Sequence, residues 1–515
     1  MNLTGMLRDR ATDRPDRIAY IYGDEQVTFA EFDRRVDCVA AALRMSGVRP
    51  GDRVAILDKN SLPQVELLFG AARAGAVQVP VNYRLAPDEI AYIVGNAKAR
   101  VLVVDAEFVP VLDAIAGRLE HTEHLIVIGE TDKYENYADW SRSDPEPARR
   151  DDSGDVFVQL YSSGTTGLPK GVMLTHDNFQ PVAALADELW EITPDSRVMI
   201  PMPMYHIAGT SLIVNAAHTA SPAVIIREPD PVMIAKAIEA HRVTHTFLVP
   251  VLLMFMPHIP EVREADLSSM RMLLYGASPI SDEALLGAMR LLPDTKFMQV
   301  YGLTETTGAI TYLPPEDHVP DSPRLRSAGI PNSRTRLKIA DPATGEEMPL
   351  GKVGEILCQT PQNMQGYWAM DQATSDTLLD GGWLRTGDAG YLDEDGYLFI
   401  HDRVKDMIIS GGENIYPAEV ENVLMSHPAV ADCAVIGVPD QKWGETPKAI
   451  VILDGDAGEQ VTERDLIDFC RSKLAHFKCP SSVEWTDAIP RNPTGKVLKR
   501  ELRAPYWAGE SRAIH

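Results

Sequence analysis

Apolar residues in the first part of the chain follow two rhythms. Short, almost uninterrupted aliphatic runs at Arg53–Leu57, 76–81, "RVLVVD" at 100–105 and "LIVIG" at 125–129 read as β-strands. Between the first two, "LPQVELLFGAARA" at Leu62–Ala74 repeats its apolar positions at helical spacing. This alternation predicts a βαβ arrangement, hence an α/β domain of layered sheets and helices. Later runs, "AVIIRE", "HTFLVP", "RMLLYGAS" and "KFMQVYG", each release into Gly, Ser, Pro or Thr, and strand ends of that kind are where open α/β sheets collect ligands. The stretch "FLVPVLLMFM" at 247–256 contains Pro250 and falls well short of the roughly 20 residues that cross a bilayer. It is expected to form core or pocket wall.

Residues 141–152, "SRSDPEPARRDD", are charged and aperiodic, as in a surface loop. After about residue 400 the texture changes. A helix from Pro417, the strand-like "CAVIGV" and "KAIVIL", and a helix near 462–474 suffice for a small α+β unit. The expected division is 1–402 and 403–515, joined near residues 402–405. Composition narrows the function classes. A formal net charge of -25 over 515 residues opposes nonspecific binding to nucleic acid or anionic lipid, so an anionic ligand needs donors built locally. The N-terminal "MNLTGMLRDRATDRPDR" lacks an export signal's apolar block. The five cysteines are odd in number, scattered and without a Cys-x-x-Cys pair, which indicates neither a disulfide framework nor zinc and fits a reducing cytoplasm.

Such local donors stand at 161–176, "YSSGTTGLPKGVMLTH". Glycines admit close backbone approach, hydroxyl and amide donors ring an anion, and Lys170 adds a point charge, which suits a phosphate. Pro169 occupies the place where the common P-loop has its second glycine, and no Gly-x-Gly-x-x-Gly occurs, so neither of those nucleotide motifs applies.

The run Ser-Ser-Gly-Thr-Thr-Gly-x-Pro-Lys-Gly resembles the phosphate loop of the adenylate-forming superfamily of acyl- and aryl-CoA synthetases, luciferases and peptide-synthetase adenylation domains. Further matches follow in order over nearly the whole chain: "YGLTE" at 301–305, "WLRTGD" at 383–388, "HDRVKDMIISGGENIYPAEVE" at 401–421 and "PRNPTGKVLKREL" at 490–502. The resemblance is greatest to bacterial fatty-acyl-CoA ligases. It implies a large α/β N-terminal domain and a small, mobile α+β C-terminal lid that turns on a hinge near Lys405.

The resemblance also assigns residues. ATP or AMP is expected at Ser162, Ser163, Gly164, Thr165, Thr166, Gly167 and Lys170, at Gly276, Ala277 and Ser278, and at Tyr301, Gly302 and Thr304. Asp388 would accept both ribose hydroxyls, a task for a bidentate acceptor, with Arg403 as a second contact. Glu305 would serve Mg2+, which takes oxygen ligands. Lys496 would act in catalysis by bridging substrate carboxylate and α-phosphate, with Thr304 on that phosphate and His206 as an aromatic gate. Gly411, Gly412, Glu413, Trp443, Phe477 and Lys478 would receive CoA, the glycine pair leaving a narrow path for its pantetheine arm.

The acyl pocket is expected among His206, Ile207, Gly209, Phe247, Leu248, Ala277, Val300, Thr307 and Gly308. No carboxylate lies in 206–210 to meet an α-ammonium, so free amino acids are not expected substrates. The implied activity is ATP-dependent formation of an acyl-AMP and then an acyl-CoA thioester from a medium- or long-chain fatty acid or another hydrophobic acid. Alternatives are an aryl-CoA ligase of the benzoate or cinnamate type, an acyl-AMP ligase serving a carrier protein, and a non-catalytic nucleotide- or acyl-binding protein. The implied partners are the acid, ATP and CoA. Nucleic acid and a transmembrane segment are not expected; membrane contact would be peripheral at most, and a homodimer is compatible with the resemblance.

Overall fold

A computed structural model describes residues 2–142, 155–162, 168–342, 344–403, 406–410, 413–440, 442–455, 461–491 and 497–507. The loop expected at 141–152 lies mostly outside these residues. The chain divides into two compact units, one of residues 1–336 and 359–384, the other of 337–358 and 385–515. The expected boundary at 402/403 falls inside the second unit, because Trp383–Leu392 pairs antiparallel with Leu398–Arg403 and a break at 402 would divide that ladder.

In the first unit an eight-stranded sheet carries Arg53–Leu57 at its centre, parallel to Val77–Val81 and to Val101–Asp105. Alternate residues explain the unbroken apolar runs. Val54, Ile56, Val101 and Val103 join a core that includes Val39, Leu43 and Leu67, whereas Ala55, Leu57, Leu102 and Val104 face Ile90, Ile93 and Leu112. Each strand is therefore buried on both sides. Helix Leu62–Ala74 starts where the Ser61 hydroxyl accepts from Gln64 N and stops at Gly75, whose φ of 77° places it in the left-handed region; these are efficient start and stop signals.

A nine-stranded sheet in the same unit includes Val198–Ile200, His245–Leu248, Met272–Gly276, Lys296–Leu303 and Gly308–Leu313. Its strands and the turns that follow them carry the expected residues at 247–248, 276–278, 300–302, 304 and 307–308. The apolar run at 247–256 departs from expectation in its second half. It forms strand His245–Leu248 and then helix Pro250–Phe255, which buries Leu252 and Leu253 and leaves Val251, Met254 and Phe255 exposed. A one-sided helix explains that split.

The second unit has its own core of Ile408, Ile415, Val420, Leu424, Val435, Val451, Leu466 and Cys470, packed on a mixed sheet in which Gly444–Leu453 pairs antiparallel with Val430–Asp440 and parallel with Ser482–Trp485. Helices Pro417–Met425 and Glu463–Lys473 lie where the sequence placed them. All five cysteines are buried and free.

Candidate active site

In the first unit the phosphate-loop candidates grow from a hairpin. Strands Val156–Ser162 and Lys170–Thr175 run antiparallel with Ser162 directly opposite Lys170, so register fixes both ends of the loop. Ser163, Gly164, Thr165, Thr166 and Gly167 lie outside the described residues. The Ser162 hydroxyl donates to Glu305 Oε1 at 3.1 Å, and the Tyr367 hydroxyl donates to the same oxygen at 3.0 Å. Lys170 Nζ stands 4.8 Å from the Tyr367 ring centroid, within cation–π range. Loop end, lysine and acid are thereby brought together.

Glu305 belongs to the 3-10 turn Thr304–Thr306 that follows strand Lys296–Leu303. The chain reverses there through Thr307 (φ 50°) and Gly308 (φ 99°). A side chain at Gly302 would place Cβ 1.8 Å from the Gly308 carbonyl oxygen, so only glycine allows that approach. The Thr306 hydroxyl accepts from Leu303 N and donates to the Gly308 carbonyl. Gln362, fully buried, holds the turn from outside: its Nε2 donates to the carbonyls of Thr306 (3.2 Å) and Ala309 (3.0 Å), and its Oε1 accepts from Asn332. Thr307 is also fully buried, its hydroxyl donating to the Gln362 carbonyl at 2.6 Å.

Gly276 pairs with Val300, and a Cβ there would stand 2.1 Å from the Val300 carbonyl oxygen. Ala277, next in the chain, is exposed with φ 72°. On the acyl side, Phe247 and Leu248 are buried. Gly308 faces Ile207, whose Cγ1 would be 3.7 Å from a Cβ added there.

The loop before His206 is positioned by Asn60, which the sequence reading did not single out. Its Nδ2 donates to the carbonyls of Met202 and Ile226, both at 3.0 Å, and its Oδ1 accepts from Met204 N at 2.9 Å. Gly209 fits beneath, where a Cβ would meet the Pro203 carbonyl oxygen at 2.6 Å. His206 Nε2 is enclosed without a hydrogen-bond partner, and its ring lies 4.5 Å from that of Tyr205. Burial, with a smaller push from Arg84, lowers its pKa to about 4, so the imidazole is neutral at neutral pH.

In the second unit Asp388 and Arg403 are cross-strand partners, which places the two expected ribose contacts at one register position. Asp388 is buried, follows Gly387 (φ 70°), and its N–H donates to the Thr386 hydroxyl. Trp443 is half-exposed beside Lys442, whose Nζ is 4.4 Å from the indole centroid. Their N–H groups both donate to Asp440 Oδ1 at 2.8 Å. Phe477 is exposed, but Lys478 is paired with Glu419 at 2.7 and 2.8 Å. Lys405, Gly411, Gly412 and Lys496 lie outside the described residues, as do the side chains of Arg403 and Glu413.

No cluster of three or more metal-ligating side chains occurs among the described residues. Glu305 directs Oε1 to two hydroxyls, so Oε2 suits a single ligand to a divalent ion held otherwise by phosphate oxygens and water, a common way of binding Mg2+. No helix among the described residues is long and apolar enough to cross a membrane.

Residues 7–368 match the family model for AMP-binding enzymes, and residues 419–496 match that for the AMP-binding enzyme C-terminal domain. The chain belongs to this adenylate-forming family. It is 40% identical to the fatty acid–[acyl-carrier-protein] ligase ScoC of Streptomyces coeruleorubidus, over 98% of this chain and 96% of that protein. It is 39% identical to a feruloyl-CoA synthase of an Amycolatopsis species, over 96% and 97%. Among solved structures it is similar to the anthranilate CoA ligase AuaEII in complex with anthranoyl-AMP, with a TM-score of 0.87, 29% identity and coverage of 98% and 97%. The chain is accordingly an enzyme, an AMP-forming ligase of the acyl-CoA synthetase class.

Proposed function

We propose that the enzyme condenses a hydrophobic carboxylic acid with ATP to give acyl-AMP and then transfers the acyl group to the thiol of CoA. The observation that carries this reading is the convergence of the Ser162–Lys170 hairpin end on Glu305. A hydroxyl, an ammonium and a carboxylate stand close together there, and such a set supports the reading because it would suit a polyphosphate and its cation. In the first step a carboxylate oxygen attacks the α-phosphorus and pyrophosphate leaves. In the second the CoA sulfur attacks the acyl carbon, AMP leaves with the bonding electron pair, and the thiol proton passes to solvent.

The chain's residues bind and orient. Residues 162–167 and Lys170 hold the phosphates, Thr304 meets the α-phosphate, and Asp388 with Arg403 holds the ribose. Glu305 would hold Mg2+ through Oε2, and the bound ion would supply positive charge against the phosphates. Lys496 stabilises charge developing on the attacked phosphate. Neutral His206 closes the acyl site without adding a charge beside the carboxylate, and Lys405 serves as the hinge between half-reactions. Gly411, Gly412, Glu413, Trp443 and Phe477 line the way for the second substrate.

A carrier protein's pantetheine is a second acceptor favoured by one observation: Lys478, the expected basic contact for the CoA nucleotide, is already paired with Glu419. The test is pyrophosphate and AMP release with ATP, Mg2+ and a panel of fatty, benzoic and cinnamic acids, with CoA, with a phosphopantetheinylated carrier protein, or with neither. The ligase reading expects acid-dependent pyrophosphate and thioester with CoA. Thioester on the carrier alone moves the acceptor to the second reading, and no acid-dependent pyrophosphate with any acid contradicts both.

A further inference from the structure

Helix Ile207–Thr219 runs from the His206 gate into the first unit with a polar pair on one face. Ser211 and Asn215 are four residues apart, so their side chains lie one turn above the other. Ser211 is 8% exposed and Asn215 fully buried. Yet Ser211 Oγ and both Oδ1 and Nδ2 of Asn215 have no hydrogen-bond partner. Their helix neighbours behave differently: Thr210 Oγ1 donates to the Met204 carbonyl of the preceding loop at 3.1 Å, and Thr219 Oγ1 donates to the Asn215 carbonyl one turn back at 2.8 Å, the usual internal solution for a hydroxyl in a helix.

An unpartnered buried polar group costs roughly 1–3 kcal/mol, so three such atoms on two side chains are a substantial liability unless something bound there repays it. The face looks toward the acyl site, since Ser211 Oγ would be 3.5 Å, and Ile207 Cγ1 3.7 Å, from a Cβ at Gly308. Apart from this pair the acyl-site residues are mainly apolar.

We propose that Ser211 and Asn215 form a hydrogen-bonding floor in the acyl pocket, and that the acid activated here carries a hydroxyl or keto group remote from its carboxylate. This rests on the ligase reading above and specifies its substrate class. Asn215 offers an acceptor and a donor side by side, so a substrate hydroxyl can donate to Oδ1 while accepting from Nδ2 or from the Ser211 hydroxyl. At about 1.5 Å of rise per residue, the pair sits roughly 8 and 14 Å along the helix axis from His206. That depth suits a ring hydroxyl on an arylpropenoic acid or a hydroxyl partway along an acyl chain.

The test is kcat/KM, read by pyrophosphate release in the full-length enzyme with ATP, Mg2+ and CoA, for matched acids: 4-hydroxycinnamic against cinnamic, and hydroxydecanoic acids against decanoic. The wild type is expected to favour the hydroxylated member of at least one pair by about tenfold or more, because a site built to bond a hydroxyl rejects the analogue that lacks it. Asn215→Leu is expected to remove that preference. Wild-type preference for the plain acid in every pair, or a selectivity ratio unchanged in Asn215→Leu, overturns the proposal. Should Asn215→Leu fail to fold, the same ratio in Ser211→Ala decides, with a drop supporting and an unchanged ratio overturning. If the wild type releases no pyrophosphate with any acid, the ligase reading fails instead, and thermal shifts of the wild type with each matched pair decide the floor: a larger shift with the hydroxylated acid supports it, and equal shifts overturn it.

Discussion

Gln362→Leu is expected to loosen the turn that carries Thr304 and Glu305. The substitution keeps approximate volume and removes the amide. The Thr306 carbonyl then loses its bond from Nε2 and one Asn332 N–H loses Oε1, whereas the Ala309 carbonyl keeps its bond from Asn332 at 3.2 Å. Two buried groups left without partners, at about 1–3 kcal/mol each, cost roughly 2–6 kcal/mol. At roughly 2–4 °C per kcal/mol for a large domain, Tm should fall by about 4 °C or more. A turn displaced by even about 1 Å should slow acid-dependent ATP–pyrophosphate exchange by tenfold to about a hundredfold. Circular dichroism melting and the exchange assay, run well below the lowered Tm, measure the two effects separately. Unchanged Tm would refute the hydrogen-bond accounting. A lowered Tm with wild-type exchange would show that the staple stabilises the unit without positioning Thr304.

Asp58 is fully buried apart from a trace, and burial pushes its carboxyl up to about 7. The folded state then holds a proton that the unfolded chain releases near pH 4, so its contribution to stability is present below that pH and is lost as pH rises through about 7; over some three pKa units this is at most about 4 kcal/mol. Asp58→Asn should raise Tm relative to wild type more at pH 8 than at pH 5, and a difference independent of pH would contradict the reasoning. Lys496→Ala should reduce acyl-AMP formation by about 10²–10³-fold, as for loss of a group that stabilises developing charge, while sparing thioester formation from supplied acyl-AMP; equal losses in single-turnover assays of both steps would remove the lysine from that role. Trp443→Ala should raise the apparent KM for CoA severalfold and leave pyrophosphate exchange intact, and a collapse of exchange would assign the indole to folding.

Much of the frame was legible because its signals are local. The strands around Arg53–Leu57 are buried on both faces, so their runs are apolar without alternation, and Ser61 and Gly75 mark the helix between two of them. The glycines at 276 and 302 were legible as motif members, and the structure supplies their reason in carbonyls that leave no room for a side chain. Asn60, Gln362 and Tyr367 were not legible. Asn60 bonds to residues 142 and 166 positions away, and Tyr367 reaches Glu305 across 62; no periodicity or short spacing reports such partners. The pairing of Lys478 with Glu419, 59 positions apart, was hidden for the same reason. Helix Pro250–Phe255 misled because composition alone does not say which side of a short helix faces solvent.

Oxygen-18 tracing reads the route of the acyl oxygen through the reaction. If the acid's own oxygen attacks the α-phosphorus, a substrate labelled with oxygen-18 in its carboxylate will deliver one labelled oxygen to each AMP released with thioester, and mass spectrometry of the AMP reads it. An acyl-adenylate mechanism yields singly labelled AMP with an equal amount of pyrophosphate. Unlabelled AMP, or ADP and orthophosphate in its place, would contradict an acyl-adenylate mechanism for this enzyme.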